Sequence, residues 1–216
     1  MDKVFCIGAW KTATTSVGSA CNHLVGGRHD GNVGPYNIAK YRNNQIGMLR
    51  SSNNINVSRP YLDNLISPYT TFDDNPWNEL KMVSLLHAVY PQYKYVLTTR
   101  NPNDWHYSAY TFYQKVLKNN QISFNELYNV YDREFKFIFG QDFNTSSIFD
   151  KDLVGMIKHK SKWIDWFNLR NQYIKNLFLP SQLLEYNISN NLGWEPLCTF
   201  LNKPIPTIPF PIKNKT

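Results

Sequence analysis

The chain has 216 residues, 42% of them hydrophobic and 18% charged, a length and balance that suit one sizeable core and exclude a wholly disordered polymer. Lys and Arg total 23 against 16 for Asp and Glu, and the net charge of +7 favours an anionic partner. The cations are spread along the chain without a run of about five or six, which suits a small polyanionic ligand better than a nucleic-acid stripe.

Residues 4–7, VFCI, read as a short buried strand ending at Gly8, and residues 14–24, small and apolar, read as the helix after it. Residues 26–34, GGRHDGNVG, are a turn-rich connection, Pro35 opens a helix toward Arg50, and the polar SSNNINVS of residues 51–58 is a loop. Asn75 and Pro76 read as an N-cap with proline at the first helical position, leading an apolar helix to about Val89 before Pro91. KYVLTTR, residues 94–100, carries Tyr95, Val96, Leu97 and Thr98 and reads as a second buried strand, with Asn101 and Pro102 starting the next helix. Helices are predicted over residues 123–139 and 151–178, the latter with Trp163, Trp166, Phe167, Tyr173 and Phe178 on a core-facing stripe. SQLLEYN, residues 181–187, is a third strand candidate, followed by a helix over GWEPLCTFL and a proline-punctuated tail. Strands alternating with helices predict one α/β domain over residues 1–216, its parallel sheet covered on both faces and its ligands at the carboxyl ends of the strands.

Cys6, Cys21 and Cys198 are far apart, odd in number and without Cys-x-x-Cys spacing. Neither a disulfide framework nor a zinc site is expected, and the compartment reads as reducing. No apolar stretch approaches the roughly 20 residues of a membrane span, and MDKVFCIG lacks the apolar segment and cleavage site of a secretory signal, so a cytoplasmic protein is expected.

GAWKTATTS, residues 8–16, lies between the first strand and its helix. Backbone N–H groups and the positive end of the helix dipole meet there, and Lys11 adds a mobile ammonium, which together make an anion site. The Walker A pattern is excluded, because it needs a Gly-Lys pair that this loop lacks. The segment Lys11, Thr12, Ala13, Thr14, Thr15, Ser16 resembles the 5'-phosphosulfate loop of the sulfotransferases that use 3'-phosphoadenosine 5'-phosphosulfate (PAPS). YVLTTRNPNDWHYS, residues 95–108, resembles the 3'-phosphate element of the same family, with Arg100 ending a strand and Ser108 eight residues later in a helix. A guanidinium leaving a strand and a hydroxyl two turns into the following helix suit one phosphate. The carboxyl-terminal LLEYNISNNLGWEPLCTFLNKPIPTIPFPIKN is similar to that of one sulfotransferase branch, so the resemblance spans nearly the whole chain.

The resemblance implies a three-layer P-loop-like fold, PAPS as cofactor, and sulfuryl transfer to a hydroxyl or amine of a small-molecule or carbohydrate acceptor. It implies that Lys11 stabilises charge on the departing phosphate while Thr12, Ala13, Thr14, Thr15 and Ser16 cradle the phosphosulfate and Arg100 and Ser108 hold the 3'-phosphate. The branch carries Asp-x-Pro before the helix preceding the 3'-phosphate strand, which makes Asp74 the first candidate for the base that deprotonates the acceptor. Asp73, His87 and His106 remain competitors, the imidazoles because they titrate near neutrality.

Two positions depart from the family. Ala13 stands where glycine is usual, and a positive φ there costs alanine on the order of 1 kcal/mol. Arg170 and Asn171 stand where the branch often has His-Asn. Trp10, Trp77 and Trp105 are candidates for stacking on an acceptor or for packing. Residues 26–58 are a candidate substrate-side loop. Two other readings use the same loop: a phosphotransferase using ATP and magnesium, and a module that binds nucleotide without turnover, for which Ala13 is the argument.

Overall fold

The computed structural model describes residues 3–30, 44–51, 54–190 and 193–213. These fall into two compact units, Met1–Thr99 with Ile174–Thr216, and Arg100–Tyr173.

The first unit holds a five-stranded, all-parallel sheet. Its strands are β1 (Val4–Cys6), β2 (His29–Asp30), β3 (Thr71–Phe72), β4 (Lys94–Thr99) and β5 (Leu183–Asn187), in the order β2-β3-β1-β4-β5. Alternation along β1 separates its two faces. Val4 and Cys6 point to one side with Val96 and Tyr186, where they bury Val17, Ala20 and Cys21 of α1 (Thr14–Val25) and Leu197 and Cys198 of α9 (Glu195–Leu201). Phe5 points to the other side, stacked on Phe72 at 4.2 Å and near Tyr95 at 5.6 Å. There the Tyr95 hydroxyl donates to the Leu86 carbonyl of α4 (Leu80–Val89) at 3.0 Å, and Phe178 covers the Tyr95 ring. Helices therefore flank the sheet on both faces. On that second side α2 (Asn44–Ser51) is tied to the start of α4 by Arg50 on Glu79, and α3 (Ile55–Ile66) by Asp63, which accepts from Tyr90 at 2.6 Å.

The second unit is helical, with α5 (Pro102–Lys118), α6 (Phe124–Phe139), α7 (Val154–Lys158) and most of α8 (Lys160–Leu177). Its core is aromatic: Trp105 stacks on Phe167 at 4.4 Å, and Tyr131, Phe135 and Phe149 surround Trp163. Arg170 is buried there, 3.8 Å from Glu134, with its guanidinium donating to Asn171 at 3.3 Å. The departure at Arg170 and Asn171 thus supplies a charge pair inside this unit; burial works against the Arg170 charge and Glu134 supports it.

Several expectations need correction. The turn-rich segment 26–34 contains β2, held because the Thr70 amide donates to the Arg28 carbonyl at 2.8 Å. The loop expected over residues 51–58 gives way to α3 at Ile55, started by Asn54, whose side chain accepts from the Asn56 amide. Asn75 and Pro76 do not open α4. Trp77, buried and donating to Asp30 at 2.9 Å, anchors that segment as a turn, and the helix begins at Leu80 after Glu79. The helix expected over 151–178 is interrupted at His159 into α7 and α8. The helix expected to open at Pro35 has its beginning outside the described residues, as has 31–43 of the candidate substrate-side loop, whose remainder holds β2, α2 and the first turn of α3.

The strand at 94–100 and the helix after Asn101 are present as expected, and the Asn101 side chain caps α5 by accepting from the Asn103 and Asp104 amides. The three cysteines are free and buried. Among the described residues no helix is long and apolar enough to cross a membrane.

Candidate functional site

Within the sheet, the connection after β1 leads toward β2 and β3, whereas the chain reaches β5 from β4 on the other side. Ligands of open α/β sheets bind where the winding reverses, at the carboxyl ends of the strands. The segment leaving β1 at that point is GAWKTATTS.

This loop is shaped by close packing. A Cβ on Gly8 would lie 1.8 Å from Thr98 Oγ1 and 2.7 Å from Thr12 Oγ1, so only glycine lets the chain leave β1 against β4. The Thr12 hydroxyl donates to the Ala9 carbonyl at 2.5 Å and meets the Thr98 hydroxyl at 2.6 Å. It is turned inward, closing the loop onto β4. Thr98, a strand residue with nothing in the sequence to mark it, is part of the loop's support.

Lys11 (φ 67°) and Ala13 (φ 60°) both occupy the left-handed region. Ala13 is the N-cap of α1 and provides no side-chain hydrogen bond. The first turn of α1 therefore presents amide donors that no N-cap side chain satisfies, next to a half-buried lysine, and such donors fit a phosphate or phosphosulfate. The left-handed geometry also explains the glycine usual at this position. Replacing Ala13 by glycine removes about 1–2 kcal/mol of backbone strain against an added unfolded-state entropy of about 0.4–1 kcal/mol. Ala13→Gly is expected to raise stability by about 0.5–1 kcal/mol in chemical denaturation; a less stable variant would contradict the strain assigned to Ala13.

The site gathers Asp74 to this turn. The Thr14 hydroxyl donates to Asp74 Oδ1 at 2.7 Å and the Thr15 hydroxyl lies 3.5 Å from Oδ2. Asp74 is half-buried, with φ 57°, just beyond β3. Its pKa is raised to about 7, chiefly by desolvation and then by the neighbouring charge of Asp73, with the Thr14 and Thr15 hydrogen bonds and His29 acting in the opposite sense. A carboxyl titrating near neutrality can take up and release a proton at physiological pH.

Ser16 is buried in the same turn and is already engaged: its hydroxyl accepts from the Lys213 amide at 2.9 Å. The carboxyl-terminal tail thus returns to α1, seated by Phe210 against Trp194 and by the Trp194 indole on the Ile208 carbonyl at 2.8 Å. Sequence periodicity carries no signal for such a tail-to-loop bond. It also missed His29, whose Nε2 lies 3.4 Å from Asp73 Oδ2, because His29 belongs to a two-residue strand.

The remaining candidates lie elsewhere. Arg100 and Ser108 both belong to the second unit, Arg100 following directly on β4 and Ser108 almost two turns into α5; both are half-buried. His106 is buried in that unit against the Met156 carbonyl at 2.9 Å, and His87 sits edge-on to Phe178 at 4.8 Å on the far side of the sheet from α1. Burial lowers the pKa of both. Trp77 and Trp105 are buried in packing contacts, whereas Trp10 is half-buried within the loop itself.

Residues 3–216 match the family described as a sulfotransferase domain. A curated relative, Ava biosynthesis cluster protein M of Aspergillus versicolor, is 26% identical over 167 residues, covering 72% of this chain and 59% of the relative, so the chain spans under two thirds of that protein's length. A solved sulfotransferase of Alicyclobacillus acidocaldarius is similar over 100% of this chain and 86% of its own, with 13% identity and a TM-score of 0.45. Since the family match runs from the first strand through residues 8–16 to the tail, this chain belongs to the sulfotransferase domain family.

Proposed function

We propose that this protein, acting as one domain over residues 1–216, is a PAPS-dependent sulfotransferase whose acceptor is a hydroxyl or amine of a small molecule or carbohydrate. The observation that carries the reading is the contact between Asp74 and the threonine hydroxyls of the uncapped first turn of α1, which puts a base candidate and an anion cradle together. PAPS, when bound, supplies a sulfuryl group on a phosphate leaving group. In this reading the amides of Thr12, Ala13, Thr14, Thr15 and Ser16 bind the 5'-phosphosulfate, and Arg100 and Ser108 bind the 3'-phosphate. Asp74 takes the proton from the acceptor as its oxygen or nitrogen bonds to sulfur. Lys11 offsets the negative charge growing on the 5'-phosphate oxygen as its bond to sulfur breaks.

The test is calorimetric binding of PAP, the desulfated product, with ATP and magnesium as the comparison ligand. Wild type is expected to bind PAP, and Arg100→Ala to bind it about tenfold or more weakly, because a charge-assisted paired contact to phosphate is lost. Absence of PAP binding would overturn the reading, and preference for ATP with magnesium would replace it with phosphotransfer. The methyl of Ala13 in the phosphosulfate loop favours a second reading, a module that binds PAP without turnover. Binding without transfer across a panel of phenols, alcohols, sugars and amines would support that reading.

A further inference from the structure

Behind the phosphate loop lies a histidine–carboxylate contact that the proposed reaction does not use. His29 of β2 and Asp73, which follows β3, approach to 3.4 Å between Nε2 and Oδ2, with side chains 13% and 0% exposed. The sheet sets them there: His29 is in register with Thr71, Asp30 with Phe72, and the Asp73 amide donates to the Asp30 carbonyl at 3.2 Å. Helix α1 closes over the pair at Gly18, one turn beyond Thr14. A Cβ on Gly18 would lie 2.4 Å from Asp73 Oδ2 and 3.0 Å from His29 Nε2. The helix that carries the phosphate loop is thus seated directly on this pair.

We infer that His29, whose imidazole when protonated sets a cation 3.4 Å from Asp73, is a positioning residue that keeps the neighbouring Asp74 available as a base. The inference rests on the proposed role of Asp74. Beyond its desolvation, the Asp74 anion is disfavoured by the charge of the adjacent Asp73. A cation on Asp73 relieves that repulsion without touching the reacting atoms. The groups that face Asp74 agree with this assignment. From α1 come the Thr14 and Thr15 hydroxyls, which favour its anion, and from β1 the Cys6 thiol, whose proton is held more tightly first by its hydrogen bond with Cys21 and by burial, and then by the charges of Asp73 and Asp74. From β2 come Asp30, which accepts the Trp77 indole, and His29. The Asp73 charge makes Asp74 hold its proton and the His29 charge acts in the opposite direction.

The test is a carboxyl titration by carbon-13 NMR of the full-length protein labelled at aspartate, with the Asp74 signal identified by its loss in Asp74→Asn. His29→Gln is expected to move the Asp74 midpoint upward by about half a pH unit or more. His29→Lys, which keeps a cation, should hold the midpoint near the wild-type value. Asp73→Asn is expected to lower it, and adding His29→Gln to Asp73→Asn should then change little, because the charge that His29 balances is gone. That pair of variants keeps the test available if His29→Gln alone does not fold. An unmoved midpoint in His29→Gln, an equal rise in His29→Lys, or a double variant titrating half a unit above Asp73→Asn would overturn the inference. Sulfuryl transfer measured across the same pH range separates the two claims. A midpoint that moves as expected while the transfer profile stays fixed would count against Asp74 as the base and leave standing only the effect of His29 on the Asp74 charge.

Discussion

Asp74→Asn is expected to reduce sulfuryl transfer by about 10²–10⁴-fold, the usual worth of a positioned general base, while PAP binding is maintained. Asparagine keeps an oxygen to accept from the Thr14 hydroxyl, which lies 2.7 Å from Asp74 Oδ1, so the first turn of α1 keeps its geometry. The pH profile identifies the role. Asp74 must be ionised to accept a proton, and its pKa is raised to about 7. Wild-type kcat should therefore rise with pH through about 7 and level off above it. The variant should lose that limb. The profile would be measured from pH 5.5 to 8.5, as transfer from labelled PAPS to an acceptor that turns over; an Asp74→Asn enzyme with the wild-type rate and limb would remove Asp74 from the chemistry.

A stability effect of the opposite sign accompanies the loss of activity. Because the pKa is raised in the fold, the native state binds the Asp74 proton more tightly than the unfolded chain does between about pH 4 and 7. Stability from this group is thus greatest below the unfolded value and declines as pH rises to about 7. Asp74→Asn should consequently be more stable than wild type above pH 7. The gain should be on the order of 2 kcal/mol once the solvent that reaches a half-buried carboxyl is allowed for.

Lys11→Ala is the second large effect, expected to lower kcat by about 10²–10³-fold while PAP binding weakens by only about tenfold. Lys11 sits with φ 67° in the loop immediately before the N-terminal turn of α1, where the positive end of the helix dipole lies. With PAPS as donor the leaving phosphate would gain charge, so a cation placed for it would contribute more to the transition state than to cofactor binding. Lys11→Arg should recover only part of the rate, since a planar fork does not replace a compact ammonium. Single-turnover rates and PAP binding constants measured side by side would check this. A variant that lost binding and kept its rate at saturating PAPS would assign Lys11 to cofactor affinity alone.

How much of this was legible beforehand depends on the range of the interactions involved. β1 is a continuous apolar run bounded by Gly8, β4 centres on Tyr95, Val96 and Leu97 before Asn101 and Pro102, and α5 begins where its capping asparagine says it should. β2 and β3 are two residues each, too short for any periodicity, and they exist because neighbouring strands hold them. Asn75 and Pro76 carry a helix-start pattern that the Trp77 to Asp30 contact overrides, and residues 55–58 carry a polar pattern that the Asn54 cap and the burial of Leu62 and Ile66 override. The α7–α8 break at His159 and the buried Arg170 pair likewise depend on packing among helices distant in sequence.

The sequence by itself determined the α/β class and the loop between strand and helix, and supplied the candidates Lys11, Asp74, Arg100 and Ser108. Each of these rests on local order: a glycine ending an apolar run, a lysine among threonines, an arginine after a strand. Only the tertiary structure decided that Asp74 meets Thr14 and Thr15, that the hydroxyls of Thr12 and Ser16 are engaged by Thr98 and Lys213, and that His29 faces Asp73. Those contacts join residues 59 to 197 positions apart, or strands that pair only once the sheet has formed, and hydrophobic periodicity carries no information about such distances. The titration of Asp74 near neutrality belongs to the same class, since it follows from burial and charged neighbours that the fold alone assembles.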